Sequence, residues 1–274
     1  MQLSCIYEIK LYFCIIVAYK GVNIFIYSGN LRPDSPCHQF SKHAYNNKLS
    51  IQDMSGTIEN EPYEILGDSH TMTSACTPLR PNAFEKTEEE KIEIIRQHFA
   101  GIMETLGLDL NDDSLKGTPY RVAKMYVKEI FRGLNPKYKP SLSIFDNKYQ
   151  YGKMLVESNI TLLSACEHHF LPIRGKAHIA YISSGKVIGL SKINRMVSYY
   201  AQRPQVQERL TLQIFNELKE VLETEDIIIV IEAEHMCVSM RGIRDPFSST
   251  TTIEYCGQFQ DKNLREDFFR LIQS

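Results

Sequence analysis

The chain has 274 residues, 43% hydrophobic and 23% charged, an ordinary globular composition with enough material for one large domain or two small ones. A formal net charge of -2 excludes a global attraction to nucleic acid or to an anionic membrane, so any polyanionic ligand has to be met by a local basic cluster. The seven cysteines, at positions 5, 14, 37, 76, 166, 237 and 256, have no regular spacing, which points to a reducing, cytoplasmic setting rather than a disulfide framework.

The apolar run LYFCIIVAY at 11–19, bounded by Lys10 and Lys20, falls far short of the roughly 20 residues that span a bilayer. Glu8 and the lack of an A-x-A pattern argue against a cleaved signal. From there to TPLRPNAF the chain is polar and aperiodic, so residues 1–85 read as a largely disordered N-terminal extension, with Met54 and Met72 as alternative starts. Order is expected from 86 to 274. Thr87 with Glu90 makes a capping box, and Ile92, Ile95, Phe99, Ile102, Met103 and Leu106 follow at helical spacing until Gly107. Thr118-Pro119 starts a second helix that runs to Gly133, completing a helical hairpin over 87–133 and aligning Arg121, Lys124 and Lys128 on one face.

A core over 154–259 reads as strands and helices. MLVESNITLL and GKAHIAYI form an antiparallel pair, SSGK turns into VIGL, and Ser191 caps KINRMVSYYAQ. Pro204 interrupts the helix, which resumes with Val206, Leu210, Ile214, Leu218 and Leu222 on one side. IIIVIEAEHMCV and SSTTTIEYC add two strands and DKNLREDFFRLI a terminal helix. The expected fold class is α+β, a four-stranded antiparallel sheet with helices on one face.

Within SACEHHFLP, Cys166 and His169 can turn toward one ion if the backbone turns there, as Leu171-Pro172 suggests. Cys237 is the candidate third ligand, on the same strand face as His235, and Cys256 is its rival. Two thiolates and one imidazole would leave zinc an open position, the arrangement of a catalytic site; His168 as a fourth ligand would make the site structural. His168 and His235 flank the ligands and titrate near neutrality, which makes them candidate proton carriers. Ser191, Lys192 and Arg195 at a helix start, with Arg203, Arg209, Arg241 and Arg244, suit a polyphosphate. Glu208 is either the salt-bridge partner of these bases or an acceptor for N–H donors such as the guanine edge. Glu167 has no role derivable from the sequence.

The blocks CEHHF, GKAHIAYI, VIGLSKINR, AQRPQVQERL, HMCV and RGIRD, in this order between about Glu85 and Phe259, resemble GTP cyclohydrolase I. The resemblance implies the tunnelling fold, in which sheets of several subunits join into a barrel, as a homodecamer of two pentamers with active sites at subunit boundaries. It implies zinc on Cys166, His169 and Cys237, catalytic roles for His168 and His235, guanine contacts from Gln207 and Glu208, and triphosphate contacts from Arg121, Lys124, Ser191, Lys192, Arg195 and Arg241. The implied reaction opens the guanine ring of GTP at C8, releases formate and yields 7,8-dihydroneopterin triphosphate, the first step of tetrahydrofolate and pterin biosynthesis. Two readings compete with it: a zinc-stabilised nucleotide-binding scaffold without turnover, and another tunnelling-fold enzyme acting on a pterin or deazaguanine. Pro246-Phe247 and Cys256 depart from the family pattern.

Overall fold

A computed structural model describes residues 74–273 and, as backbone strands alone, residues 15–19 and 22–26. Residues 29–78 cluster as a unit of their own, almost all of it outside the described residues, and the secondary structure belongs to the unit of residues 1–28 and 79–274. In chain order its strands are β1 (Ile15–Tyr19), β2 (Val22–Ile26), β3 (Ile144–Asp146), β4 (Met154–Cys166), β5 (Pro172–Ile182), β6 (Lys186–Ile188), β7 (Pro204–Gln205), β8 (Ile227–His235) and β9 (Thr250–Cys256). Its helices are α1 (Glu88–Thr105), α2 (Thr118–Met125), α3 (Leu190–Ala201), α4 (Gln207–Leu222), α5 (Met236–Ser239) and α6 (Lys262–Ile272).

The expected extension over 1–85, with both alternative starts, lies mostly outside the described residues; within it β1 and β2 pair as a hairpin. Residues 81–86 form a turn held by Lys91 Nζ, which donates to Ala83 O at 2.7 Å. Helix α1 then opens on a closed capping box, Glu90 N donating to Thr87 Oγ1 at 3.2 Å and Thr87 N to Glu90 Oε2 at 2.7 Å. Instead of one helix to Gly133, α2 gives way to a π turn at Tyr126–Ile130 and a 3-10 turn at Arg132–Leu134. The wider turn breaks the expected basic stripe, and Lys128 pairs with Glu88 and Glu89 across the hairpin. Gly133 lies where a Cβ would come 2.0 Å from Tyr199 O, so the chain passes too close to α3 for any side chain.

The main sheet is built on the antiparallel run β4-β5-β8-β9 and is extended at both edges. Strand β7 lies parallel to β4, because the break at Pro204 lets two residues run extended, and β2 lies parallel to β9 with β1 outside it. Among the described residues the sheet thus has seven strands rather than four. The SSGK turn does not return the chain to this sheet: β6 pairs with β3, a three-residue strand too short to leave a period-two signal.

One sheet face, with Leu162, Ile173, Ala177, Ile179, Tyr181, Ile229 and Ile231, packs against Ile193 and Met196 of α3 and Leu210, Ile214, Leu218 and Leu222 of α4. The 3.6-residue stripe of α4 is therefore the main core contact, each buried Leu or Ile contributing about 1.5–3 kcal/mol. Helices do not keep to that face. Phe268 of α6 and Phe259 bury against Ala180, Ile182, Ile228 and Val230 on the opposite side. Helix α3 begins one residue before Ser191, with Gly189 as its N-cap, so Ser191 sits in the first turn and caps nothing.

Candidate functional site

Four chain ends meet at one end of the sheet. Strand β4 ends at Cys166, β5 starts at Pro172, β8 runs antiparallel to β5 and ends at His235 opposite Ile173, and β7 brings Gln205 beside Cys166. The next residues, Val206 and Gln207, start α4. Between β4 and β5 the chain turns sharply, Phe170 N donating to Cys166 O at 2.9 Å, with Phe170 at φ 55. That turn swings His169 back over Cys166. The strand reading of HMCV does not hold beyond His235: Cys237 belongs to the helical turn α5, which carries its sulfur back toward β4.

The sulfurs of Cys166 and Cys237 and a ring nitrogen of His169 lie within 4.8 Å of one another, the one such cluster among the described residues. Cys166 Sγ is 4.0 Å from His169 Nδ1. A tetrahedral zinc site, with Zn–S of about 2.3 Å and Zn–N of about 2.0 Å, would set these atoms roughly 3.6 Å apart, so little movement is needed. Burial and the neighbouring Cys166 sulfur push the Cys237 thiol up to about 11. The Cys237 thiol beside a second sulfur resists becoming a thiolate until a cation sits between them, which suits a soft metal ion. Cys256 is no rival: it pairs with Ile227, at the far end of β8 from His235, a span of roughly 26 Å.

His168 stands outside the three-ligand cluster, its Nδ1 3.6 Å from Cys166 Sγ and its Nε2 3.9 Å from Glu167 Oε1. Glu167 is ion-paired to Arg209, whose side chain is 3% exposed. Arg209 also donates to Gln205 Oε1 at 3.0 Å and to Pro204 O at 3.3 Å. Sequence reasoning missed this pair; the signal available was Arg209 next to Leu210 on the buried side of an amphipathic helix, where an arginine needs a partner.

His235 Nε2 contacts Gln207 Oε1 at 2.8 Å, and burial makes this imidazole harder to protonate, with Glu208 acting in the opposite sense. Gln207, expected with Glu208 at a guanine, is 2% exposed. Its amide nitrogen is taken up by Ile231 O, Thr250 O and Thr252 Oγ1, so the side chain has nothing left for a ligand. It lies one turn before Thr211 on the buried stripe of α4, which the helical period could have revealed. Glu208, between two buried residues, is exposed and has no ion-pair partner among the described residues.

The basic residues divide. Arg241 Nη1 lies 2.6 Å from His169 Nε2, at the cluster. Arg121 donates to Ser114 O at 3.1 Å and Thr118 Oγ1 at 3.0 Å, and Lys124 is exposed on the same helix. Ser191, Lys192 and Arg195 lie at the start of α3, where Asn194 Nδ2 donates to Glu157 Oε1 at 2.9 Å near the opposite end of β4 from Cys166. From there α3, 12 residues or roughly 18 Å long, runs back to Arg203 beside Ser164. One chain therefore does not bring these three residues to the cluster. Phe247, a departure in the sequence, is 95% exposed in a turn closed by Asp245 Oδ1 accepting its N–H at 2.9 Å.

A family model described as GTP cyclohydrolase I matches residues 95–273. "GTP cyclohydrolase 1" of Flavobacterium johnsoniae is 59% identical over 217 residues, covering 79% of this chain and 97% of that protein. The proteins of the same name from Citrobacter koseri and Salmonella arizonae are each 50% identical over 198 residues, covering 72% of this chain and 89% of theirs.

Proposed function

The chain belongs to the GTP cyclohydrolase I family and is a hydrolase, and from that premise we propose that it opens GTP at guanine C8 in a zinc-dependent hydrolysis, with loss of formate and rearrangement to 7,8-dihydroneopterin triphosphate. The observation that carries this reading is the convergence of Cys166, His169 and Cys237 beside two imidazoles that are not part of the cluster. When bound there, zinc supplies a Lewis acid that makes water nucleophilic near neutral pH. Three protein ligands, not four, leave room for that water.

The protein's own groups do the rest. Glu208, with no ion-pair partner among the described residues, accepts the guanine N1–H and N2–H and so orients C8. His168 and His235 move protons to and from the opening ring and the departing formate. Lys124, Lys192 and Arg195 have no carboxylate partner among the described residues, and with Arg121, Ser191 and Arg241 they take the triphosphate, whose binding energy positions the reacting carbon. Because the start of α3 lies away from Cys166 in one chain, the phosphate contacts of one copy serve the cluster of another. This favours a homo-oligomer with sites at its boundaries, a decamer of two pentameric rings whose sheets join in the tunnelling fold. No helix among the described residues is long and apolar enough to cross a membrane. The proposed setting is the cytoplasm, where the reaction is the first step of tetrahydrofolate and pterin synthesis.

The test is direct. Purified protein incubated with GTP and zinc should release formate and develop pteridine absorbance. A chelator should abolish both, and zinc should restore them. A protein that binds GTP but forms neither product, with Cys166→Ser folding and binding GTP equally well, would sink this reading in favour of a binding scaffold.

A further inference from the structure

We propose that Gln207 is a positioning residue that locks the His235 ring with its proton on Nε2, so that Nδ1 is the nitrogen presented with its lone pair. This rests on the reading of His235 as a proton carrier and gives its partner a role distinct from guanine recognition.

The proton positions are set by the contacts without regard to titration. The nitrogen of the Gln207 amide lies 3.0 Å from Ile231 O, 2.9 Å from Thr250 O and 3.2 Å from Thr252 Oγ1. Two of these neighbours are carbonyl oxygens, which have no proton to give, so the NH2 edge of the amide must face them. The flipped amide would set oxygen against oxygen at both. With the amide oriented, Oε1 points at His235 Nε2 at 2.8 Å, and an amide oxygen can only accept. Nε2 therefore carries a proton whether His235 is neutral or charged.

The rest of the network agrees on proton direction. Thr211 Oγ1 donates to Gln207 O at 2.8 Å, and it has one proton. In its 2.6 Å contact with Thr252 Oγ1 it must then accept, so Thr252 donates to Thr211, and its oxygen, 3.2 Å from the Gln207 nitrogen, shares an amide proton directed at one of the two carbonyls. Gln207, Thr211 and Thr252 are all buried, so water does not compete for these bonds. The network ties the first turn of α4 to β8 and β9, and it ends on the imidazole at the tip of β8.

The chemical consequence is a single working nitrogen. The Nε2–H bond to Gln207 fixes both the rotation of the ring and its tautomer, so Nδ1 is the one ring nitrogen presented with a lone pair. The other tautomer would present an N–H where a lone pair is needed, the kind of error that costs an acid–base histidine most of its rate.

Neutron diffraction on crystals of the full-length protein reads the tautomer directly. Deuterium is expected on His235 Nε2, with both amide deuterons of Gln207 on the side of Ile231 O and Thr250 O; an Nε2 without deuterium overturns the proposal. In parallel, Gln207→Leu is expected to lower kcat about 10–100-fold. Its KM for GTP should stay within roughly threefold, and Gln207→Glu, which keeps an oxygen against Nε2, should recover part of the loss. A raised KM with kcat spared would return Gln207 to guanine binding, and unchanged kinetics would remove its positioning role. Should Gln207→Leu fail to fold, the neutron result on the wild type still decides. Wild-type protein without GTP turnover would defeat the proposed function while leaving the tautomer measurable, so the two failures are distinguishable.

Discussion

The carboxylate of Glu167 lies between a buried guanidinium and an exposed imidazole, and both depend on it. Removing its charge breaks the ion pair it makes with the buried Arg209 guanidinium, and breaking such a pair typically costs about 3–5 kcal/mol. Glu167→Gln keeps the shape and one acceptor, so a loss of about 2–3 kcal/mol is expected in denaturant titration. His168 loses its orienting neighbour in the same variant, so a fall in kcat of about tenfold with zinc content unchanged is the expected kinetic result. At the cluster the expectation reverses. Cys237→Ser should lower bound zinc from about one per chain to near zero, read by elemental analysis, because serine oxygen is a poor substitute for thiolate on this ion.

At the scale of elements, the helical hairpin is held to the rest by close contacts rather than by a broad apolar face. Gly133 N donates to Gln202 O at 3.0 Å, Arg203 Nε donates to Gly133 O at 2.9 Å, and a Cβ at Gly133 would meet Tyr199 O. Gly133→Ala should therefore cost about 1–3 kcal/mol, seen as a lowered melting temperature. Within the hairpin, Glu88 is bound by Lys128, Lys137 and Tyr138, which hold its carboxyl down to about 2. A carboxyl depressed on folding contributes stability that is complete above its ordinary value of 4.5 and fades as pH falls toward about 2. Melting temperature should thus drop between about pH 5 and about pH 3 by more in the wild type than in Glu88→Gln, while an equal drop in both would remove this clamp from the acid response.

For the whole molecule, the decisive feature is the distance within one chain between the Cys166–His169–Cys237 cluster and the proposed phosphate contacts at the start of α3. If one copy's α3 serves another's cluster, Cys166→Ser and Arg195→Ala chains, each inactive alone, should complement when unfolded together and reassembled. Random mixing in equal amounts puts both intact contributions at one site in four, so about a quarter of wild-type activity is expected. Mixtures as inactive as their parents would place the whole site in a single chain. Cys76 is disulfide-bonded, where the irregular spacing of the cysteines points to a reducing setting rather than a disulfide framework.

Local signals in the sequence determined the capping box at Thr87, the apolar stripe of α4, the break at Pro204, the residues of the Cys166–His169–Cys237 cluster and the family. Each depends on near neighbours or on side-chain chemistry that a short window displays. Tertiary structure alone decided the partners of Gln207 and Glu167, the π turn that takes Lys128 out of the basic stripe, the pairing of β6 with β3 and the helical turn that carries Cys237 to Cys166. Those outcomes depend on which distant segments come to lie side by side. The helical period can set Gln207 on the buried stripe of α4, but only packing tells which carbonyls and which imidazole engage its side-chain amide.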